Sequence, residues 1–235
     1  MQIDIIPYQG VINKEKVKGK TVVVIDVLRA TSVMIHGLKN GAECFIPVTS
    51  VEEAKEKADE IKKKNVLLAG ERNTRIIPGF DLGNSPQDYS AENVSGKTII
   101  LTTTNGTRAL NKVKGADKIL IGAFLNASAV VEEIKNDDDV FLVCSGTNNT
   151  FSLDDGMCAA MIIDLLTEKI DVELSDFAIL MLKAYRSGKD NLRQLLNDCY
   201  HLNLLINRGF ESDVNFCLQV DIYDIVPRRK DGEIR

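Results

Sequence analysis

The chain has 235 residues, 44% of them apolar and 27% charged, a globular balance that excludes collagen-like, disordered and disulfide-scaffold classes. One large domain of this length buries most of its unfolded surface without covalent staples. A net charge of −5, from 29 Lys+Arg against 34 Asp+Glu, excludes a general nucleic-acid-binding face but leaves room for a few cations focused on a small anion.

Five cysteines (Cys44, Cys144, Cys158, Cys199 and Cys217) form no C-x-x-C pair. Neither a disulfide framework nor a zinc ribbon is expected, and a reducing, cytoplasmic setting is the simplest. Met1–Pro7 lacks a basic n-region and a long apolar h-region, so it does not read as a signal peptide. No apolar run nears the ~18 residues of a membrane span, so no membrane partner is expected.

In chain order, short β-branched runs predict strands at Gln2–Ile6, Thr21–Asp26, Cys44–Val48, Val66–Ala69, Thr98–Thr102, Lys118–Ile121, Val140–Cys144 and Asp224–Val226. Val22–Ile25 and Phe141–Cys144 are apolar throughout, as in strands covered by helices on both faces. Between them, Ser50-Val-Glu-Glu53 reads as a capping box for a helix ending in Lys62–Lys64. Ser152-Leu-Asp-Asp155 reads as a second box, for a helix to about Lys169. Ser175–Arg186, Asp190–Arg208 and Asp213–Val220 read as further helices, with Gly188 and Gly209 as stops. The pattern predicts a single domain over residues 1–235, an α/β fold of three-layer α/β/α type. It has a mixed, mostly parallel sheet and a mainly helical layer over residues 151–220. Val22–Lys57 and Thr98–Lys135 share one strand–turn–helix–strand–helix order, with Gly41-Ala42 answering Gly115-Ala116.

The chemistry-bearing residues follow the strands: Asp26-Val-Leu-Arg-Ala-Thr-Ser32, Gly70-Glu-Arg-Asn73, Thr102-Thr-Thr-Asn-Gly-Thr107 and Cys144-Ser-Gly-Thr-Asn-Asn-Thr150. In open parallel sheets ligands bind outside the carboxyl ends of strands, so these loops are expected to make one pocket. Small hydroxyl and glycine residues before a helix leave backbone N–H groups for an anion. Arg29 and Arg72 add planar forks. Asp26, Glu71, Asp81, Asp154 and Asp155 add carboxylates, which beside an anion site suit a Mg²⁺ ion completed by phosphate and water.

Each part has a plainer reading. Asp26 caps the following helix, Glu71–Arg72 is a surface ion pair, and Asp154 and Asp155 complement a helix dipole. Asp137–Asp139 is a solvated turn, His36 and His201 are packing or surface residues, and Cys158 is core. There is no G-x-G, Walker A loop, H-E-x-x-H, cysteine-phosphatase loop or haloacid-dehalogenase D-x-D pattern.

Across nearly its whole length the chain resembles the 2-phosphosulfolactate phosphatase (ComB) family. The resemblance is carried by Asp26–Thr31, Gly70–Arg72, Gly79-Phe-Asp-Leu-Gly-Asn-Ser-Pro86, Thr102–Thr107, Ser145–Thr147 with Ser152–Asp155, and the Asp221–Pro227 tail. Ser32 and Asn148-Asn149 depart from the family pattern. The resemblance implies a cytoplasmic Mg²⁺-dependent hydrolase that converts 2-phospho-3-sulfolactate to sulfolactate and phosphate, as in coenzyme M biosynthesis. The expected partner is a small anionic phosphorylated substrate. The metal is expected on Asp26, Glu71 and Asp154, with Asp81 behind them, and Asp26, Arg29 and Glu71 are the expected catalytic group. Arg29 with the N–H groups at Thr31 and Ser32 is expected on the phosphoryl group. Arg72 and the turns at Thr104, Asn105 and Gly106 and at Ser145, Gly146 and Thr147 are expected on carboxylate and sulfonate, the pockets being interchangeable. Asp26 is either the nucleophile or the activator of a water. The competing readings are a non-catalytic sensor of phosphorylated acids and a Mg²⁺-dependent lyase or transferase. A homodimer is expected by default.

Overall fold

A computed structural model describes residues 1–61 and 65–235; the Lys62–Lys64 helix end lies outside the described residues. The strands are β1 Gln2–Ile6, β2 Thr21–Ile25, β3 Cys44–Pro47, β4 Val66–Arg72, β5 Arg75–Ile76, β6 Thr98–Thr102, β7 Lys118–Gly122, β8 Asp139–Cys144, β9 Glu173–Leu174, β10 Arg229–Lys230 and β11 Glu233–Ile234. The helices are α1 Lys14–Val17, α2 Ala30–Lys39, α3 Val51–Ile61, α4 Ala91–Val94, α5 Gly106–Lys112, α6 Ala127–Ile134, α7 Leu153–Thr167, α8 Asp176–Arg186, α9 Leu192–Leu195, α10 Tyr200–Asn207 and α11 Glu211–Cys217. None is long and apolar enough to cross a membrane, among the described residues.

The strands divide between two sheets. The first is parallel throughout, in the order β7-β2-β8-β1-β9. The second, β10-β11-β3-β6-β4-β5, is parallel across β3-β6-β4 and antiparallel at its edges. The period of two explains how the layers stack. Val23 and Ile25 point into a core with α6, α7, α8 and α10. Val22 and Val24 point the other way, into a core that also takes Phe45, Ile99 and Leu101 of the second sheet with α2 and α5. Cys44, Ile46 and Ile100 face outward under Ala54 of α3. Each sheet is thus an α/β/α sandwich, and α2 and α5 form the helical layer common to both.

The internal repeat has a spatial meaning. In the first copy the chain passes from the first sheet (β2) through α2 to the second (β3). In the second copy it passes from the second sheet (β6) through α5 back to the first (β7). The crossings run in opposite directions, so the loops after β2 and β6 approach the middle layer from opposite sheets.

Several local expectations are corrected. Asp224–Val226 forms no strand; Pro227 instead accepts the Ile121 N–H at 2.9 Å, and the tail continues to a β10–β11 hairpin on β3. The expected Asp190–Arg208 helix breaks into α9 and α10, because the turn through Leu196–Cys199 buries both Leu196 and Cys199. Gly209, at φ +87°, ends α10 as expected. Asp137 and Asp139 are not merely solvated: Asp137 pairs with Lys118 at 3.0 Å and accepts the Thr21 hydroxyl at 2.8 Å, and Asp139 pairs with Lys20. Cys158 is core, and His36 packs on Phe216 and bonds the Tyr223 hydroxyl.

Candidate active site

The carboxyl ends of β2 and β8 in the first sheet and of β4 and β6 in the second meet at one cleft of about 140 Å³. Its walls include Asp26, Arg29, Glu71, Thr104, Asn105 and Thr147 from the strand-end loops, and His201 and Arg208 from the C-terminal helices. A larger groove elsewhere, along α6 and the tail, contains none of these loops.

Asp26 immediately follows β2 and is 7% exposed. Its Oδ1 accepts the Ala30 N–H at 3.1 Å. Burial pushes its carboxyl up to about 7, with nearby Asp154 and Glu71 adding to the shift. Asp155 ties loops together rather than closing a capping box on Ser152. Its two oxygens accept the Val27 N–H at 2.9 Å and the Gly146 N–H at 3.0 Å. Asp154 is 1% exposed. Ser152 Oγ and Cys199 Sγ donate to its Oδ1, whereas Oδ2 is buried without a hydrogen-bond partner, 4.0 Å from His201 Nδ1. Burial lowers the His201 pKa and favours neutral imidazole, with Asp154 opposing.

Glu71 is buried, not a surface ion pair. Oε1 accepts the Thr104 N–H (2.9 Å) and hydroxyl (2.8 Å), and Oε2 accepts the Thr74 N–H at 2.9 Å. Through these bonds Glu71 staples two loops at the cleft. Arg29 is 3% exposed; it pairs with buried Asp213, donates to Thr74 O at 3.2 Å and stacks on Phe210. Asp213 in turn accepts the Ser85 hydroxyl at 2.7 Å.

Other expected site residues lie elsewhere. Thr31 and Ser32 are wholly buried, and their hydroxyls bond the carbonyls of Asp26 and Val27. The Thr31 N–H goes to Asp26 O, so it is not free for a phosphoryl group. Arg72 turns onto Thr102 O and Oγ1 and the Glu71 carbonyl, away from the cleft. Asp81 is exposed and accepts the Leu68 N–H at 2.8 Å, outside the site. The Gly146 N–H is spent on Asp155, and Ser145 Oγ is buried without a partner. Gly106 packs on Asp26. Thr104, Asn105 and Thr147 do line the cleft.

The expected loops supply Asn73 and Asn84 to the cleft, whereas sequence reasoning missed Thr74, His201 and Arg208 there and Asp213 behind Arg29. Asn84 also has a buried, unpartnered Oδ1. The one local signal was Asn73-Thr74 between two arginines, which reads as a hairpin turn. Its residues have φ of 55° and 68°, both in the left-handed region. Asn148 and Asn149, at φ 53° and 58°, make a second such turn, in which asparagine is well tolerated.

The fold and cleft define an α/β protein with a polar cleft lined by carboxylates and arginines at the joined carboxyl edges of two sheets. A family model described as 2-phosphosulpholactate phosphatase matches residues 7–232. Similar proteins, each named "Probable 2-phosphosulfolactate phosphatase", occur in Clostridium novyi (46% identity, 97% of this chain and 96% of the relative), Caldanaerobacter subterraneus (47%; 95% and 93%) and Thermotoga maritima (44%; 92% and 92%). The chain belongs to the 2-phosphosulpholactate phosphatase family.

Proposed function

We propose that this chain hydrolyses 2-phospho-3-sulfolactate to 3-sulfolactate and phosphate in a Mg²⁺-dependent reaction of the coenzyme M biosynthetic type. The observation that carries this reading is the meeting of Asp26, Arg29 and His201 at one small cleft, with the unpartnered Asp154 oxygen buried 4.0 Å behind His201 Nδ1, in a chain of this family.

The donor set suits a hard divalent cation. Asp154 Oδ2 is a buried carboxylate oxygen without a donor, and its charge is near enough to help raise the Asp26 carboxyl. Among the described residues no group of three His, Cys, Asp or Glu is placed to hold an ion. Mg²⁺ needs only one or two carboxylates and completes its shell with phosphate and water. Asp26 and Asp154 would hold it, and when bound it supplies Lewis-acid stabilisation of the phosphoryl oxygens.

The chain's own groups do the rest. Burial raises the Asp26 carboxyl in the metal-free protein, and beside a bound cation it returns to the charged form, in which its free oxygen takes the proton of the attacking water. The water oxygen forms the new bond to phosphorus, the bond from phosphorus to the C2 oxygen breaks, and that oxygen takes up a proton from solvent to leave as the hydroxyl of sulfolactate, Asp26 later losing its own to solvent. Arg29, locked by Asp213 and Phe210, presents its remaining N–H groups to the phosphoryl oxygens at little entropic cost.

The test is phosphate release from racemic 2-phosphosulfolactate, with and without Mg²⁺, beside other phosphorylated 2-hydroxy acids. Mg²⁺-dependent release that prefers the sulfonate is expected. No release from any of them, by a folded protein that still binds these anions, would favour a sensor.

A further inference from the structure

The substrate proposed above bears phosphate, carboxylate and sulfonate, so its binding needs cations whose charge is not already spent. Of the two arginines expected from sequence, Arg29 is matched by buried Asp213, and Arg72 is turned onto Thr102. Arg208, at the C-cap of α10, lines the same cleft. Its Nη1 donates to Asn73 O at 2.6 Å and to Thr74 Oγ1 at 2.9 Å, both neutral acceptors. Among the described residues no carboxylate lies within ion-pair distance of it, and its Nε and Nη2 make no hydrogen bond. It is thus a guanidinium anchored through one nitrogen with its other edge open, a planar fork matched to an oxyanion.

The anchor is itself firmly held. The left-handed Asn73–Thr74 turn is costly for a β-branched residue and persists where its surroundings over-determine it. Glu71 holds the Thr74 N–H and Arg29 holds the Thr74 carbonyl. The turn therefore couples Arg208 to the two residues that flank Asp26 in the cleft.

We propose that Arg208 determines specificity by binding the sulfonate of the substrate through its Nε–Nη2 edge. The proposal rests on the phosphatase reading for the identity of the substrate, but its test does not need turnover. Binding of 3-sulfolactate and of lactate, which lacks the sulfonate, is measured by calorimetry on wild-type, Arg208→Gln and Arg208→Lys proteins in Mg²⁺. kcat/KM is measured alongside for 2-phosphosulfolactate and 2-phospholactate. The wild-type preference for the sulfonate-bearing member of each pair is expected to fall about tenfold or more in Arg208→Gln, chiefly through KM, and to be partly restored in Arg208→Lys. Equal weakening of both members would show that Arg208 only braces the turn, and overturns the proposal. So does a wild-type protein with no preference for sulfolactate over lactate. A wild type that releases no phosphate yet binds sulfolactate in an Arg208-dependent way would overturn the phosphatase reading and leave the role of Arg208 standing.

Discussion

Gly106 and Asp26 touch across the seam between the two sheets: a Cβ at residue 106 would stand 2.7 Å from Asp26 Oδ2 and 2.8 Å from the Ala30 Cβ. Gly106 opens α5 after β6, whereas Asp26 immediately follows β2. The missing side chain is what lets a loop of the second sheet close against the acid of the first. Gly106→Ala would favour the helix locally, yet the clash has little room to relax, since Ala30 is rigid core. Its expected cost is about 1–3 kcal/mol, a fall in Tm of roughly 2–12 °C for a chain of this size. Turnover should fall more than tenfold as the Asp26 carboxylate is displaced. Calorimetry with a phosphate-release assay checks both, and a variant with wild-type kcat would show that the contact does not position Asp26.

Asp26→Asn should abolish most turnover and leave the fold intact; near-normal turnover would remove Asp26 from the mechanism. The same variant carries a pH signature. The Asp26 carboxyl rises from an ordinary 3.8 to about 7 in the fold, so the native state favours its protonated form. That contribution is fully present below about pH 4 and is lost as pH rises through 7. In EDTA, wild-type stability to urea should therefore decline from pH 5 to pH 8 relative to Asp26→Asn. A stability difference independent of pH over that range would contradict a raised Asp26.

Mg²⁺ should stabilise the native protein, because ligand binding to the folded state alone shifts unfolding by mass action, about 2.7 kcal/mol at a hundredfold excess over Kd. Asp154→Asn should lose that gain in Tm while folding normally, since the asparagine can still accept from Ser152. Full phosphatase activity in EDTA, with no Tm response to Mg²⁺, would rule out the metal.

Arg29 and Asp213 form a buried pair, each at most 3% exposed in its side chain. Asp213→Ala strands a buried guanidinium and is expected to cost about 3–5 kcal/mol, read as the urea midpoint. Arg29→Lys keeps the charge but loses the planar fork that spans Asp213 and Thr74 O. Its kcat/KM should drop even where the protein remains folded, and an unchanged value would count against Arg29 on the phosphoryl group.

Much of the fold was legible because it depends on local pattern. The runs Gln2–Ile6 and Thr98–Thr102 are strands with the expected bounds, and the apolar Val22–Ile25 lies buried on both faces. Which sheet each strand joins was not legible. Val22–Ile25 and Ile99–Leu101 have similar composition, and their separation into two sheets comes from the long-range pairings of β2 with β8 and of β6 with β4.

The site divides the same way. Asp26, Arg29, Glu71, Thr104, Asn105 and Thr147 could be named because each stands at or just after the carboxyl end of a strand, and strand ends are where such folds bind ligands. Thr31 and Arg72 share that position, yet their groups are consumed by nearby backbone. Spacing along a chain does not reveal such consumption.

The amino-acid sequence by itself determined the α/β alternation, the strand-end loops and the family, since these reside in periodicity and in short motifs. Only the tertiary structure decided that His201 faces Asp154, that Asp213 neutralises Arg29 and that Arg208 remains available. Those partners come from helices far along the chain, and the charge a buried group can offer depends on which neighbours the fold brings to it.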